Sequence, residues 1–266
     1  MHPILQRPWD YACEPFQITD HVYYVGNTWV GTYLLDSGEG LILIDCGMPQ
    51  TVYQIFEAIR KLGFDPHDVR LLLISHGHYD HAGGAEAIRR YTGAKLYLGR
   101  EDVPFIGHPN LLLSDVIHCP DFQVDEVYGD EPVRFGRFEI NALHTPGHTP
   151  GARSFFFEDE VDGKKELCGM HGGIGFATMK REFLTKNDLP FSLRRKFHDG
   201  LVRLLDIPVT VALGSHPSHL HLLERYAARV PGKNAFVDAA LWPEFIRAKI
   251  NAFEQECLYP SLDDLA

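Results

Sequence analysis

Leu71-Leu72-Leu73-Ile74-Ser75-His76-Gly77-His78-Tyr79-Asp80-His81-Ala82-Gly83-Gly84 decides how this chain is read. The apolar run at its head is short and followed by small residues, the pattern of a buried strand that ends in a loop. Alternate residues at a strand end point the same way, which lets His76 and His78 reach one metal ion together. Asp80 and His81 fall on the turn that follows, where Ala82-Gly83-Gly84 opens a helix, so they point elsewhere and can hold a second ion. Four solvated polar residues on a loop would explain neither that spacing nor that position. The stretch is a metal site.

Outward from this stretch the chain alternates strand and helix patterns without a linker. Val22–Val25, Val30–Asp36 and Leu41–Ile44 read as strands, with Ser37-Gly38-Glu39-Gly40 as a turn. Val52, Ile55, Phe56, Ile59 and Leu62 form a helical stripe. Val69–Ile74 feeds the histidines, Ala85–Tyr91 is the helix that leaves them, and Lys95–Leu98 is a further strand. Residues 100–120, rich in Pro, Gly and His, read as a loop region able to overhang the site. Strands are expected at Phe122–Tyr128, Val133–Leu143, Arg153–Glu158, Glu166–Cys168 and Val209–Leu213. Helices are expected at Phe191–Leu205, Pro217–Val230 and about 238–256. No repeat or low-complexity tract interrupts them. The expectation is one domain over residues 1–266, an α/β fold with its sheet covered by helices.

Composition narrows the classes. The 266 residues carry 36 acidic and 25 basic side chains, a formal charge of −11, which disfavours nucleic acid and anionic membrane as partners. Arg194-Arg195-Lys196 is the longest basic run and reads as a solvated helix face. The five cysteines are odd in number and form no C-x-x-C pair, which fits reduced thiols better than a disulfide framework. The first sixteen residues show neither a basic nor an apolar leader region, and no apolar stretch approaches the roughly 20 residues that span a bilayer. A cytoplasmic protein acting on a small molecule is the default expectation, with a secreted mature form and the oligomeric state left open.

Nine of the fifteen histidines fall into three groups. Besides the first, they are His144-Thr145-Pro146-Gly147-His148-Thr149-Pro150-Gly151 with His171 further on, and His216-Pro217-Ser218-His219-Leu220-His221. Two metal ions need about six ligands gathered from several loops, and the chain offers them at separated strand ends.

With H-G-H-Y-D-H, P-G-H-T-P-G, L-G-S-H-P and the earlier Ile44-Asp45-Cys46-Gly47 in this order, the chain resembles the metallo-β-lactamase superfamily over almost its whole length. Within it, the doubled H-T-P-G-H-T-P-G and the S-H-P ending most resemble class B β-lactamases of the third subclass. The resemblance implies an αββα sandwich, two mixed β-sheets flanked by helices with the metals at one edge. It implies two Zn2+ per chain, one on His76, His78 and His148, the other on Asp80, His81 and His216. A hydroxide held between the ions would attack a carbonyl, oriented by Asp80. Asp45 would accept an imidazole N–H from behind and fix a ligand's orientation. His144 is expected as a hydrogen-bonded residue, and His219 and His221 as rim or packing residues.

One segment departs from the pattern. Most other hydrolases of the superfamily place a metal-bridging Asp where this chain has Leu167-Cys168-Gly169-Met170-His171-Gly172-Gly173. Third-subclass β-lactamases also lack it, but they usually carry hydroxyl side chains there that meet the substrate carboxylate. His171 stays open as an extra ligand, a substrate contact or a plain loop residue, and Cys168 reads as a buried strand thiol. The resemblance implies a zinc hydrolase opening a cyclic amide such as a β-lactam. Hydrolysis of a lactone, thioester or phosphodiester is the alternative, and a non-catalytic metal-binding protein is the third reading. The missing hydroxyls and leader weaken a role in antibiotic resistance.

Overall fold

Near-continuous apolar runs such as Leu41–Ile44 are buried on both faces of their strand, so layers of helices must cover what the sheets do not cover in one another. The computed structural model describes residues 3–107 and 120–258. Seven strands lie side by side in chain order: β1 (Phe16–Gln17), β2 (Val22–Tyr24), β3 (Tyr33–Asp36), β4 (Leu41–Ile44), β5 (Val69–Leu73), β6 (Lys95–Leu98) and β7 (Glu126–Val127). They run antiparallel from β1 to β4 and parallel from β4 to β7. The second sheet takes β8 (Val133–Phe135), β9 (Phe138–His144), β10 (Arg153–Val161), β11 (Lys164–Met170) and β12 (Val211–Leu213), with only the β11–β12 pair parallel. The helices are α1 (Val52–Lys61), α2 (Tyr79–Ala82), α3 (Ala85–Thr92), α4 (Arg181–Lys186), α5 (Ser192–Leu205), α6 (Leu222–Ala227) and α7 (Leu241–Phe253).

Three apolar clusters define the layers. Between the sheets, Tyr33, Leu35, Ile42, Ile44, Leu71 and Leu73 meet Phe155, Phe157, Met170 and Leu213. The opposite faces of β4 and β5, Leu41, Leu43 and Leu72, pack against Ile55 and Ile59 of α1 and Ile88 of α3. On the far side Phe156 and Ala212 pack against Phe197 and Leu201 of α5 and Trp242 and Ile246 of α7. Each Leu, Ile, Phe or Met among them that is fully removed from water contributes roughly 1.5–3 kcal/mol. The order helix, sheet, sheet, helix is the αββα sandwich. No helix among the described residues is long and apolar enough to cross a membrane.

Several elements differ from their expected bounds, each for a visible reason. Val133–Leu143 is not one strand but the hairpin β8–β9, folded at Gly136, whose φ of +54° favours glycine. Residues 30–32 leave the sheet because Gly31 N donates to Ser215 O at 2.8 Å, tying this segment to the loop after β12. The helix expected over Pro217–Val230 is a 3-10 turn, Pro217–Leu220, then α6, separated by His221 at φ +51°. Only Glu126–Val127 of Phe122–Tyr128 pairs as strand. Arg194 is buried rather than solvated, its Nε donating to Met179 O at 2.7 Å, while Arg195 and Lys196 are exposed. Cys13, Cys46, Cys168 and Cys257 form no disulfide, and Cys168 lies in the core between the sheets. Most of the loop expected over residues 100–120, with Cys119, lies outside the described residues; its start, Arg100–Phe105, is a 3-10 helix.

Candidate metal centre

The site is assembled where β4, β5, β9, β11 and β12 end. The loop after β5 carries His76 and His78, and α2 carries Asp80 and His81. The β9–β10 loop carries His148, and the turn after β12 carries His216. His76, His78 and His148 bring one ligand atom each within 4.8 Å of one another, and Asp80, His81 and His216 do the same. The two groups abut: the His76 and His81 ring centroids are 4.2 Å apart. Gly83 and Gly84 make room for this turn. A Cβ on Gly83 would sit 2.1 Å from Tyr79 O, and one on Gly84 2.3 Å from Cys46 O.

The hydrogen bonds behind the rings decide which nitrogens face the site. A carbonyl oxygen only accepts, so His216 Nδ1 donates to Trp29 O at 2.6 Å and His148 Nδ1 donates to Gly175 O at 2.5 Å. His81 Nδ1 donates to Asp45 Oδ2 at 2.8 Å. Ser75 Oγ gives its proton to Asp45 Oδ2, also at 2.8 Å, and therefore accepts from His76 Nδ1 at 2.9 Å. Each of these four imidazoles keeps a bare Nε2. His81 Nε2 and His216 Nε2 lie 3.5 and 3.4 Å from Asp80 Oδ2. His148 Nε2 faces His78 Nδ1 at 2.9 Å. His76 Nε2 is buried with no hydrogen-bond partner among the described residues. Converging lone pairs beside a carboxylate, with a buried nitrogen left without a donor, fit divalent cations with a preference for imidazole and carboxylate.

Asp45 is the anchor behind this arrangement. It is fully buried at φ +59°, a region that few residues other than Asn, Asp and Gly enter, and it accepts from Ser75 N, Ser75 Oγ and His81 Nδ1. Asp102 plays a matching part that the sequence did not reveal. Buried in the 3-10 turn after β6, it accepts from Gly77 N at 2.9 Å, Thr149 Oγ1 at 2.7 Å and Gly151 N at 2.6 Å. It thus clamps the His76–His78 loop to the His148 loop. An acid in a segment without periodicity gives no signal from which this could be read.

Electrostatics separate the two groups. Burial and the neighbouring imidazoles hold His76 well below the ordinary histidine range, and burial pushes His148 down to about 4. Burial also lowers His216. Burial alone would lower His81, but Asp80 and Asp45 outweigh it and raise the ring. Asp80 shows the mirror image: burial would raise it, yet His81, His216 and His78 together hold it below the usual carboxylate range.

Among the described residues the other histidines take no place in either group. His144 Nε2 donates to Pro150 O at 2.9 Å and closes the base of the His148 loop. His171 is buried, with its ring stacked on Phe245 at 5.3 Å and tilted towards His219 at 5.3 Å. His219 touches the His216 ring at 5.0 Å, and His221 is exposed. Cys168 is buried in β11, where burial raises its thiol well above the ordinary range.

The sandwich and its paired clusters place the chain in a known class: it belongs to the metallo-beta-lactamase superfamily, whose family model matches residues 30–161. Among solved structures it is similar to the native FEZ-1 metallo-beta-lactamase from Legionella gormanii, 31% identical, over 93% of this chain and 97% of that one, with a TM-score of 0.86. It is also similar to BJP-1, a subclass B3 metallo-beta-lactamase of Bradyrhizobium japonicum, 26% identical over 94% and 96% of the two chains, with a TM-score of 0.82. A further relative is an N-acyl homoserine lactonase of Bacillus thuringiensis, 29% identical over 62% of this chain and 70% of that protein.

Proposed function

We propose that residues 1–266 act as a single dinuclear zinc hydrolase domain that opens the cyclic amide of a β-lactam. In this reading His76, His78 and His148 hold one Zn2+ and Asp80, His81 and His216 the other. The observation that carries it is the pair of abutting three-residue clusters, with four bare Nε2 atoms turned inward, at the edge of the sandwich. Likeness to solved metallo-beta-lactamases along nearly the whole chain supports the substrate class. So does the lack of a carboxylate over Leu167–Gly173, where other hydrolases of the superfamily carry a bridging Asp.

Bound zinc would lower the pKa of a water toward neutrality and polarise the carbonyl that the water attacks. The chain supplies the rest. Asp80 stays ionised and accepts a hydrogen bond from the attacking water, which orients it. Asp45, Ser75, Trp29 O and Gly175 O hold the N–H groups of His81, His76, His216 and His148 outward, so these four keep one tautomer during turnover. Trp29 stands edge-on to His216 at 5.5 Å and 6.5 Å from Tyr79, an aromatic rim that can keep water from the second cluster and receive an apolar substrate group. His171 remains a candidate substrate contact through its place beside His219.

Opening a lactone is the second reading, favoured by the acyl homoserine lactonase relatives. An ester carbonyl asks for the same attacking water and the same polarisation. A substrate panel on the zinc-loaded chain separates the readings: a chromogenic cephalosporin, a carbapenem, an N-acyl homoserine lactone and a thioester. The proposal expects both β-lactams to be hydrolysed with the highest kcat/KM. Turnover of the lactone or thioester with none of the β-lactams would replace it with the alternative.

A further inference from the structure

A polar cavity of about 490 Å³ lies outside the metal centre, and none of its lining residues belongs to either cluster. Three guanidinium groups line it, Arg100, Arg153 and Arg203, against two carboxylates, Glu101 and Asp130. In a chain of net charge −11 this is a local excess of positive charge. Arg153 is 6% exposed; its Nη2 donates to Glu101 Oε2 at 3.2 Å, while its Nε is buried with no hydrogen-bond partner among the described residues. Burial lowers the Arg153 guanidinium, a sign that its charge is poorly solvated where it stands. Arg203 is exposed and donates to His144 O at 2.6 Å, and Arg100 is exposed.

A buried guanidinium with an unused donor is costly unless something accepts from it, and planar anions match the guanidinium fork. We propose that this cavity is a second ligand site, which takes a small organic anion whose carboxylate or phosphate group lies on Arg153, Arg203 and Arg100. The volume falls in the range of small-molecule sites and exceeds what one inorganic anion fills, so the rest of the ligand extends past Asn141 and Asp130. Glu101, already engaged with Arg153, limits the ligand to few negative charges. The site also touches the chemistry: His144 and Arg153 stand at the two ends of the loop that carries His148, and Arg153 N donates to Ser75 O at 2.8 Å.

Calorimetric titration of the metal-loaded full chain tests this, with inorganic phosphate and succinate in separate arms and sodium chloride at matched ionic strength as the blank. Saturable binding in at least one arm is expected, and the stronger arm tells phosphate from carboxylate. Arg203→Ala and Arg100→Ala, both at exposed positions, should each weaken it about tenfold or more, the worth of a charge-assisted hydrogen bond. Arg229→Ala, on a different cavity, should leave it unchanged. No saturable binding of either anion would overturn the proposal. So would binding that survives both Arg203→Ala and Arg100→Ala, or that disappears when only the metal is removed, since the anion would then sit elsewhere.

Discussion

His76, His78 and His148 meet as three imidazoles without a carboxylate among them, whereas Asp80, His81 and His216 meet around one carboxylate and lean on another, Asp45. The consequence shows at His81, which is raised a few ångströms from His76 and His148, both lowered; His216 is lowered as they are. In the first group burial and the neighbouring imidazoles hold His76 and His148 below the ordinary histidine range, so their lone pairs are ready for a cation. In the second, Asp80 and Asp45 already offset positive charge, and His81 is raised rather than lowered. Each group joins two chain neighbours to one distant residue; Asp102 clamps the loop of His76 and His78 to that of His148, while Asp80 and His81 share α2.

Breaking the first group should have the largest effect. His148→Ala leaves two ligands there and removes several kcal/mol of charge stabilisation, so turnover of the best substrate should fall by about 10³-fold. A loss below tenfold in steady-state assays would mean that the first group is not needed for chemistry. Asp45→Asn probes the second group from behind. Its amide cannot serve Ser75 and His81 as the carboxylate does, and zinc affinity should drop by about 10- to 100-fold in a competition titration. Equal affinity would remove Asp45 from the account.

Acid sharpens the comparison without mutation. The rings of His76, His148 and His216 are lowered in the fold, so the unfolded chain binds more protons as pH drops below the ordinary histidine value of about 6.5. The stability that these rings contribute to the metal-free chain is therefore fully present above about pH 6.5. It should be lost as pH falls toward about 4, the value for His148. His81, raised instead, works in the other direction and only partly offsets this. Urea midpoints at pH 7 and pH 5 check the sign; a higher midpoint at pH 5 would contradict it. The smallest effect belongs to His171→Asn. Because neither ring nitrogen enters either cluster, its metal content should match the wild type, and a lower content would make His171 a ligand.

What could be read from the sequence follows from how local the signal is. Leu41–Ile44, Lys95–Leu98 and the His76–His81 turn carry their periodicity and their chemistry in adjacent residues, and they stand in the structure where the pattern puts them. Preferring His148 to His144 needed the family resemblance; in the fold His148 joins His76 and His78, while His144 is turned to Pro150 O. Gly136 inside an otherwise alternating run hid the β8–β9 hairpin. Gly31 left its strand for Ser215, a partner 184 positions later in the chain, which no local window reveals. Asp102, Ser75 and Gly175 act through hydrogen bonds that exist only once distant loops have met, and Arg153 with its cavity is legible only in three dimensions.

The claim that two separate clusters each hold a metal is tested most directly by counting ions. Elemental analysis of zinc-saturated, buffer-exchanged protein should give about two zinc ions per chain for the wild type and about one each for His148→Ala and His216→Ala. No bound transition metal in the wild type, or a count unchanged by both substitutions, would contradict it.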